Sequence, residues 1–459
     1  MAGTVAKADI DKIVTDLRTA GVHYVCGSLL DSGGINRMKC MPVAKLARAA
    51  RSGVGLSRCW ATGLSNDHFT EIEAWGAPST GDLRLIPDLS ALASLAATPR
   101  WAWAPFDQYE QDGKVFSGCQ RDFVKRMTAL AAGRGLTLKM AYEIEWFTTR
   151  GDGRSEIEPI HTGPGYSSAA WVEVEELAAD LLDALTAEAV GVETFHPEYA
   201  AGQMEVAFTP IDPLTAADWN VLFRHTTRSV SHSHGCRPSF SPVTIPGQPS
   251  ASGCHLHFSL WDGGGANLFS GGSGPLEITE VGESFLAGVL REVPALTAIA
   301  CPTVPSYERL KPQRWAGAYQ CWGHENREAA LRFVQGMAGI RGQNANMEFK
   351  AADCAAHPYL LVGAVIAAGL AGIEAHLSLP APVSADPETL SQNERAAQGI
   401  RRLPQSLSEA ADALAASKAL RAAMGDPLFD ATVAVRRAES EADKDKSLEE
   451  LMKDHLWRF

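Results

Sequence analysis

Apolar residues recur at helical spacing over Lys7–Ala20, at Ile10, Ile13, Val14 and Leu17, and predict a helix there. Val22–Leu30 reads as a strand, Gly33–Gly34 as a turn, and Val43–Ala50 as a second helix beyond Arg37–Met41. Between residues 55 and 100, short strand-like pieces alternate with Pro and Gly turns, among them Leu-Arg-Leu-Ile-Pro within Asp82–Asp88. Residues 1–106 therefore read as a small α+β unit, and Trp101–Phe106 leads into a longer one over 107–459. In that second unit Asp122–Ala132 and Val172–Ala189 have helical period. Glu173, Glu175 and Glu176 stand near the start of the latter, where the helix dipole favours them. Strands are expected over Leu136–Phe147, Gln203–Phe208, Cys254–Trp261, Ala329–Val334 and Asn346–Ala351, a buried helix over Val365–Leu377, and Ala-, Glu- and Lys-rich helices over Pro380–Phe459. The sequence contains no internal repeat.

Composition narrows the class. With 46% hydrophobic and 21% charged residues the chain has the make-up of a globular protein, and its net charge of −13 argues against a nucleic-acid surface or an anionic-lipid anchor. The nine cysteines are scattered with no C-x-x-C pair, which reads as free thiols in a reducing compartment. Met1-Ala-Gly-Thr-Val-Ala-Lys7 leads into a charged segment, so no secretory signal is expected, and no apolar run approaches the roughly eighteen residues of a membrane span. A cytoplasmic location follows as the expectation.

The chemistry starts at Ala141–Phe147, Ala-Tyr-Glu-Ile-Glu-Trp-Phe. Side chains alternate across a strand, so Glu143 and Glu145 share one face while Tyr142, Ile144 and Trp146 share the other. On an arbitrary strand, two such glutamates are simply solvated. Here Glu198, Glu205 and Glu348 add carboxylates, and His255 and His257, two apart on another strand, add imidazoles that face one way. Together they resemble a shell for divalent cations. His232 and His234 alternate likewise, but in Ser-rich surroundings that favour a bland role. Gly263–Gly265 lacks the Lys-Ser/Thr of a phosphate loop and reads as a hairpin turn. Arg309, Arg314, Arg327 and Arg332 supply cations suited to phosphate and carboxylate oxygens. Carboxylates that hold hard cations, with arginines opposite, are the equipment of phosphoryl transfer, and no Walker A or kinase glycine loop is present to hold the nucleotide.

In order along the chain, Glu143-Ile-Glu145, Gly163-Pro-Gly-Tyr166, His196-Pro-Glu-Tyr-Ala-Ala-Gly-Gln-Met-Glu205, Gly253-Cys-His-Leu-His-Phe-Ser-Leu260, Ser306-Tyr-Glu-Arg-Leu310, Asn326-Arg-Glu-Ala-Ala-Leu-Arg332 and Glu348-Phe-Lys-Ala-Ala-Asp353 resemble the motifs of the glutamine synthetase family. The resemblance implies an N-terminal β-grasp-like domain over 1–106 and a glutamine synthetase-type catalytic domain over 107–459. It also implies a homo-oligomer of stacked hexameric rings, with active sites between neighbouring subunits. The reaction it implies is ATP-dependent: the γ-phosphoryl group passes to glutamate, and an amine displaces phosphate from γ-glutamyl phosphate. Two or three ions per site, Mg2+ or Mn2+, accompany ATP. Carried over by motif, Glu145, Glu198 and Glu205 hold the first ion, and Glu143, His255 and Glu348 the second. Arg309 binds the glutamate α-carboxylate. Arg327 and Arg332 stabilise the transferring phosphoryl group, and His257 and Ser259 lie beside the nucleotide.

Departures from the family pattern bear on the amine. The region matching the ammonium-binding aspartate motif, Ser52–Asn66, contains no carboxylate, and the flap glutamate falls on Trp315. Lys350, expected with Arg309 and Trp315 to bind substrate, replaces an arginine, Ser250-Ala251 replaces an Asn-Gly pair, and no adenylylation loop is recognisable in Pro380–Gln398. The metal and phosphoryl machinery is kept while the ammonium pocket is lost. The expectation is therefore a γ-glutamyl-amide ligase, with Trp315, Cys59 and Trp60 lining a less charged pocket and Glu198 or a phosphate oxygen as the base. Loss of two carboxylates points to a monoamine such as ethanolamine first and a polyamine next. Glutamine synthetase using ammonia, a non-catalytic member of the fold and a guanidino kinase are the rivals.

Overall fold

The computed structural model describes residues 7–77, 79–154, 156–244 and 252–459, so Met1–Ala6 and the Ser250-Ala251 pair lie outside the described residues. Helices Lys7–Thr19 and Val43–Ser52 pack on one face of a six-stranded sheet. Alternation selects that face. Val25 and Leu29 turn towards the helices, whereas Ser28 turns away and accepts a hydrogen bond from Trp103 Nε1 at 2.8 Å. Gly27 is required on the packed face, since a Cβ there would overlap the Phe106 ring. Strand Tyr24–Leu30 pairs antiparallel with Asn36–Pro42 and parallel with Trp101–Tyr109. The sequence made Trp101–Phe106 only a leader; it is an inner strand of this sheet. A hairpin, a helix across it and a parallel return strand give the β-grasp-like arrangement of an α+β fold.

The second sheet has ten strands and is built around Leu136–Arg150. One flank continues through Cys254–Asp262, Asn346–Phe349, Ala329–Val334 and Tyr319–His324; the other through Gln203–Phe208 and Val192–Pro197. The expected strands are all present, and Val192–Pro197 and Tyr319–His324 are additions. Tyr142, Ile144 and Trp146 are buried together, with the Trp146 ring 5.2 Å from that of Phe223 on helix Pro213–Ser233. That apolar packing commits the opposite face of the sheet, with Glu143 and Glu145, to the site.

Two local readings change. The long buried helix spans Pro358–Glu374, starting earlier than expected because Pro358 fits the first turn and His357 caps it. It packs closely on Glu280–Ala300, where a Cβ on Gly288 would lie 2.6 Å from Gly372 Cα. Helix Ser168–Ala187 begins at a Ser167 cap, which leaves Glu173, Glu175 and Glu176 beyond its first turn. The Gly263–Gly265 turn is as expected, closed by the Gly265 N–H on Asp262 O at 3.1 Å, and half-buried His234 pairs with Asp180 at 2.8 Å. Among the described residues no helix is long and apolar enough to cross a membrane.

Candidate active site

Cross-strand register assembles the site in three rows on one face of the large sheet. His196 lies opposite Glu205, and Glu205 opposite Glu145. His255 lies opposite Glu143. Arg332 lies opposite Glu348, and Glu348 opposite His257. Directly opposed residues share a face with Cβ atoms about 5 Å apart, so Glu145 against Glu205 is a like-charge pair that the sheet alone disfavours. The compensation has to come from cations.

Two groups come close enough to hold one ion each. Ligand atoms of Glu143, His257 and Glu348 lie within 4.8 Å of one another, as do those of His196, Glu198 and Glu205. Four of the six residues expected as ligands fall in these groups, and His196 and His257 stand where the resemblance puts Glu145 and His255. Those two face each other instead, His255 Nε2 standing 3.4 Å from Glu145 Oε1. Four buried ligand atoms, His196 Nε2, Glu198 Oε2, His255 Nδ1 and His257 Nε2, lack a hydrogen-bond partner. Carboxylates and imidazoles with orphaned buried atoms fit a hard divalent cation.

The surrounding bonds orient these groups. Glu145 Oε2 accepts from Gln203 Nε2 at 2.9 Å and from the Gly253 N–H at 2.8 Å. His257 Nδ1 bonds Asn346 Oδ1 at 2.9 Å, which aims Nε2 at Glu143, and Tyr166 donates to Glu198. Fully buried Glu348 accepts from Lys350 Nζ at 2.8 Å and Arg332 Nη1 at 3.1 Å. Lys350, expected at the substrate, therefore neutralises Glu348. Arg332 also bonds Glu325 at 2.5 Å.

Protonation follows from burial and crowding. Burial, then Glu143, Glu145 and Glu198, pushes Glu205 up to about 10. Burial also raises Glu198 against the bond from Tyr166. It opposes ionisation of Glu143 too, but His257, whose Nε2 stands 3.6 Å away, and then His255 outweigh it and hold that carboxyl at about 2. Burial works against charged Glu348 in the same way, and Lys350 with its other cationic neighbours overcomes it, keeping Glu348 well below the usual range. Without a cation the cluster therefore retains a proton at Glu205.

Arg309 is buried beside Gly253, and its Nη1 has no partner. The guanidinium thus offers an unused donor next to the carboxylates. Ser259 continues the His257 face and accepts from Trp261 Nε1 at 2.8 Å. Trp315 is 63% exposed, with Arg327 Cζ 5.7 Å from its ring. The sequence assigned no role to His196, Tyr166 or Glu328. A strand reading of Val192–Pro197 would have exposed His196, whereas Glu328 has no local signal. Ser52–Asn66 lacks a carboxylate of its own, yet Glu439 from a C-terminal helix accepts from Ser65 N at 2.5 Å.

A family model described as glutamine synthetase, catalytic domain, matches residues 117–451. Gamma-glutamylpolyamine synthetase GlnA3 of Streptomyces coelicolor is 47% identical over 427 residues, which cover 93% of this chain and 91% of that protein. A glutamine synthetase of Halobacterium salinarum is 30% identical over 436 residues, covering 93% and 92%. Among solved structures, a novel glutamine synthase homolog aligns with a TM-score of 0.85 at 32% identity, covering 95% of this chain and 99% of that one. Apo GmaS aligns at 0.82 with 28% identity, covering 96% and 98%.

Proposed function

The chain belongs to the glutamine synthetase family, and from that premise we propose that it is an ATP-dependent ligase joining the γ-carboxylate of glutamate to a primary amine, a polyamine first. The observation that carries the reading is the three-row register, which sets carboxylates and imidazoles with unpartnered atoms beside the free donor of Arg309. Non-catalytic descent would leave no reason to keep so costly an arrangement.

Glu145, Glu198 and Glu205 would hold one divalent ion, Mg2+ or Mn2+, and Glu143 and Glu348 another, with His255 or His257 as the imidazole. Bound there, such ions offset charge on the nucleotide phosphates and the glutamate carboxylate. Arg309 Nη1 donates to the α-carboxylate of glutamate and fixes its γ-carboxylate towards ATP. Arg327 and Arg332 face the charge that develops as the γ-phosphoryl group leaves ADP for the glutamate oxygen. The amine nitrogen then attacks the γ-carbon and phosphate departs. The nitrogen must first lose a proton, and Glu198, raised by burial, is suited to take it. His257 and Ser259 lie on the nucleotide side.

Two observations favour a polyamine over ethanolamine. The relative at 47% identity is named for polyamines. Cations also bind aromatic faces, and Tyr166, Tyr199 and Trp315 are exposed around Glu198 and Arg327, so an alkylammonium can be held without the lost carboxylates. Each buried methylene adds roughly 0.8 kcal/mol that ammonia lacks. The test is phosphate release with ATP, glutamate and Mg2+ across putrescine, spermidine, ethanolamine, methylamine and ammonia. A polyamine is expected to exceed ammonia by roughly tenfold or more in kcat/KM. Equal efficiency with ammonia returns the chain to the glutamine synthetases, ethanolamine above every polyamine reverses the amine order, and no amine-dependent release refutes the ligase. We also propose a cytoplasmic enzyme of stacked hexameric rings, which light scattering on the purified protein tests.

A further inference from the structure

Glu328 sits next to Arg327 in Asn326-Arg-Glu-Ala-Ala-Leu-Arg332 and is only 6% exposed. Among the described residues it forms no ion pair. Its carboxylate instead grips backbone, Oε1 accepting the Trp315 N–H at 2.9 Å and Oε2 the Gln313 N–H at 3.2 Å. Both residues so held have left-handed backbone, Gln313 at φ 58° and Trp315 at φ 54°, a conformation disfavoured for bulky side chains. A carboxylate is costly to bury, and burial pushes this one up against its two N–H bonds. What the arrangement secures is the placement of one exposed indole. The Trp315 ring lies against Arg327, and the loop rests on the strands that carry Glu348 and Arg332, for a Cβ on Gly317 would touch Lys350 Cβ and Ala330 Cα at 3.0 and 2.9 Å.

We propose that Glu328 is a positioning residue for amine selection: it clamps the Gln313–Trp315 loop so that the Trp315 indole, beside Arg327, forms a fixed wall of the amine pocket. The proposal rests on the ligase reading and deepens it. Glu328 touches no reacting atom and acts through Trp315. Glu328→Gln keeps the size but offers one acceptor to two N–H groups, so the clamp is half lost while the fold is kept.

The experiment compares wild type, Glu328→Gln, Trp315→Ala and the double variant in steady-state kinetics with the best amine of the panel, alongside limited trypsin cleavage after Arg314 followed by mass spectrometry. Glu328→Gln is expected to speed cleavage after Arg314 and to raise KM for the amine, each about tenfold, with KM for ATP and glutamate unchanged. The double variant is expected to match Trp315→Ala, because one residue acts through the other. Unchanged cleavage overturns the clamp. An opened loop with unchanged amine KM overturns its role in selection, and additive kinetic effects overturn action through Trp315. Absence of amine-dependent turnover in the wild type sinks the ligase reading and the selection role with it. That result is distinct from normal turnover whose amine KM ignores Glu328.

Discussion

The smallest residue at the site sets its tolerance. A Cβ on Gly253 would stand 2.8 Å from Arg309 Nη2, 2.8 Å from His255 Nε2 and 3.0 Å from Glu145 Oε1. Three functional groups from different segments meet in the space that glycine leaves. Gly253→Ala is expected to lower kcat/KM about a hundredfold by displacing them, while the thermal melt moves little; phosphate release and circular dichroism on the same preparation check this. Glu205 gives a second prediction. Its carboxyl is pushed up to about 10 by burial and neighbouring carboxylates, so it is protonated at neutral pH until a cation arrives. Ion binding should therefore release a proton and strengthen as pH rises. Titration calorimetry of Mg2+ or Mn2+ in buffers of different ionisation enthalpy reads that proton directly, and Glu205→Gln should abolish its release.

At the scale of one element, helix Pro358–Glu374 depends on how it starts. His357 is fully buried, and its Nδ1 accepts from the Leu360 N–H at 3.3 Å, a cap that only the neutral ring can make. Burial, then the charge of Arg436, depresses the imidazole from 6.5 to about 3. A depressed folded value means that this stability is present above 6.5 and is lost as pH falls towards 3. By pH 5 the loss is about 2 kcal/mol. His357→Asn retains an acceptor but does not titrate. Its melting temperature should fall less than that of the wild type between pH 7 and pH 5, and parallel curves would remove His357 as the cause.

For the molecule as a whole, one buried cation joins the two sheets. Arg121 is 3% exposed; Nη1 reaches Asp88 and Asp107, both at 2.8 Å, while Nη2 and Nε reach Asp218 at 2.8 and 3.0 Å. Asp107 lies on the first sheet and Asp218 on a helix behind the second, where Tyr359 also donates to it at 2.7 Å. Arg121→Met would leave three carboxylates without their common partner, and only Asp88 and Asp107 retain Lys125. A loss of roughly 3–5 kcal/mol is expected, read as a lower unfolding temperature and faster proteolysis between the two sheets. A melt within a degree or two of the wild type would mean that the apolar contacts join the units without this cation.

The sequence by itself determined what is local and periodic. Alternation placed Glu143 and Glu145 opposite Tyr142, Ile144 and Trp146, and helical spacing found the main helices, because each depends on side-chain direction over a few residues. The order of the motifs also determined the family, since residue types at fixed spacing survive in the chain whether or not it is folded. Tertiary structure alone decided register and proximity. That Glu205 faces both Glu145 and His196, that Gly253 leaves room for Arg309, and that Glu328 holds Trp315 are matters of segments brought together from far along the chain. No periodicity encodes such meetings, because a strand's neighbours are chosen by the burial of its other face and not by its own sequence. That His257 forms the close group with Glu143 and Glu348 has the same origin: both histidines lie on one face, and only the packing of the neighbouring strands, with Asn346 turning one ring, decides how close each comes.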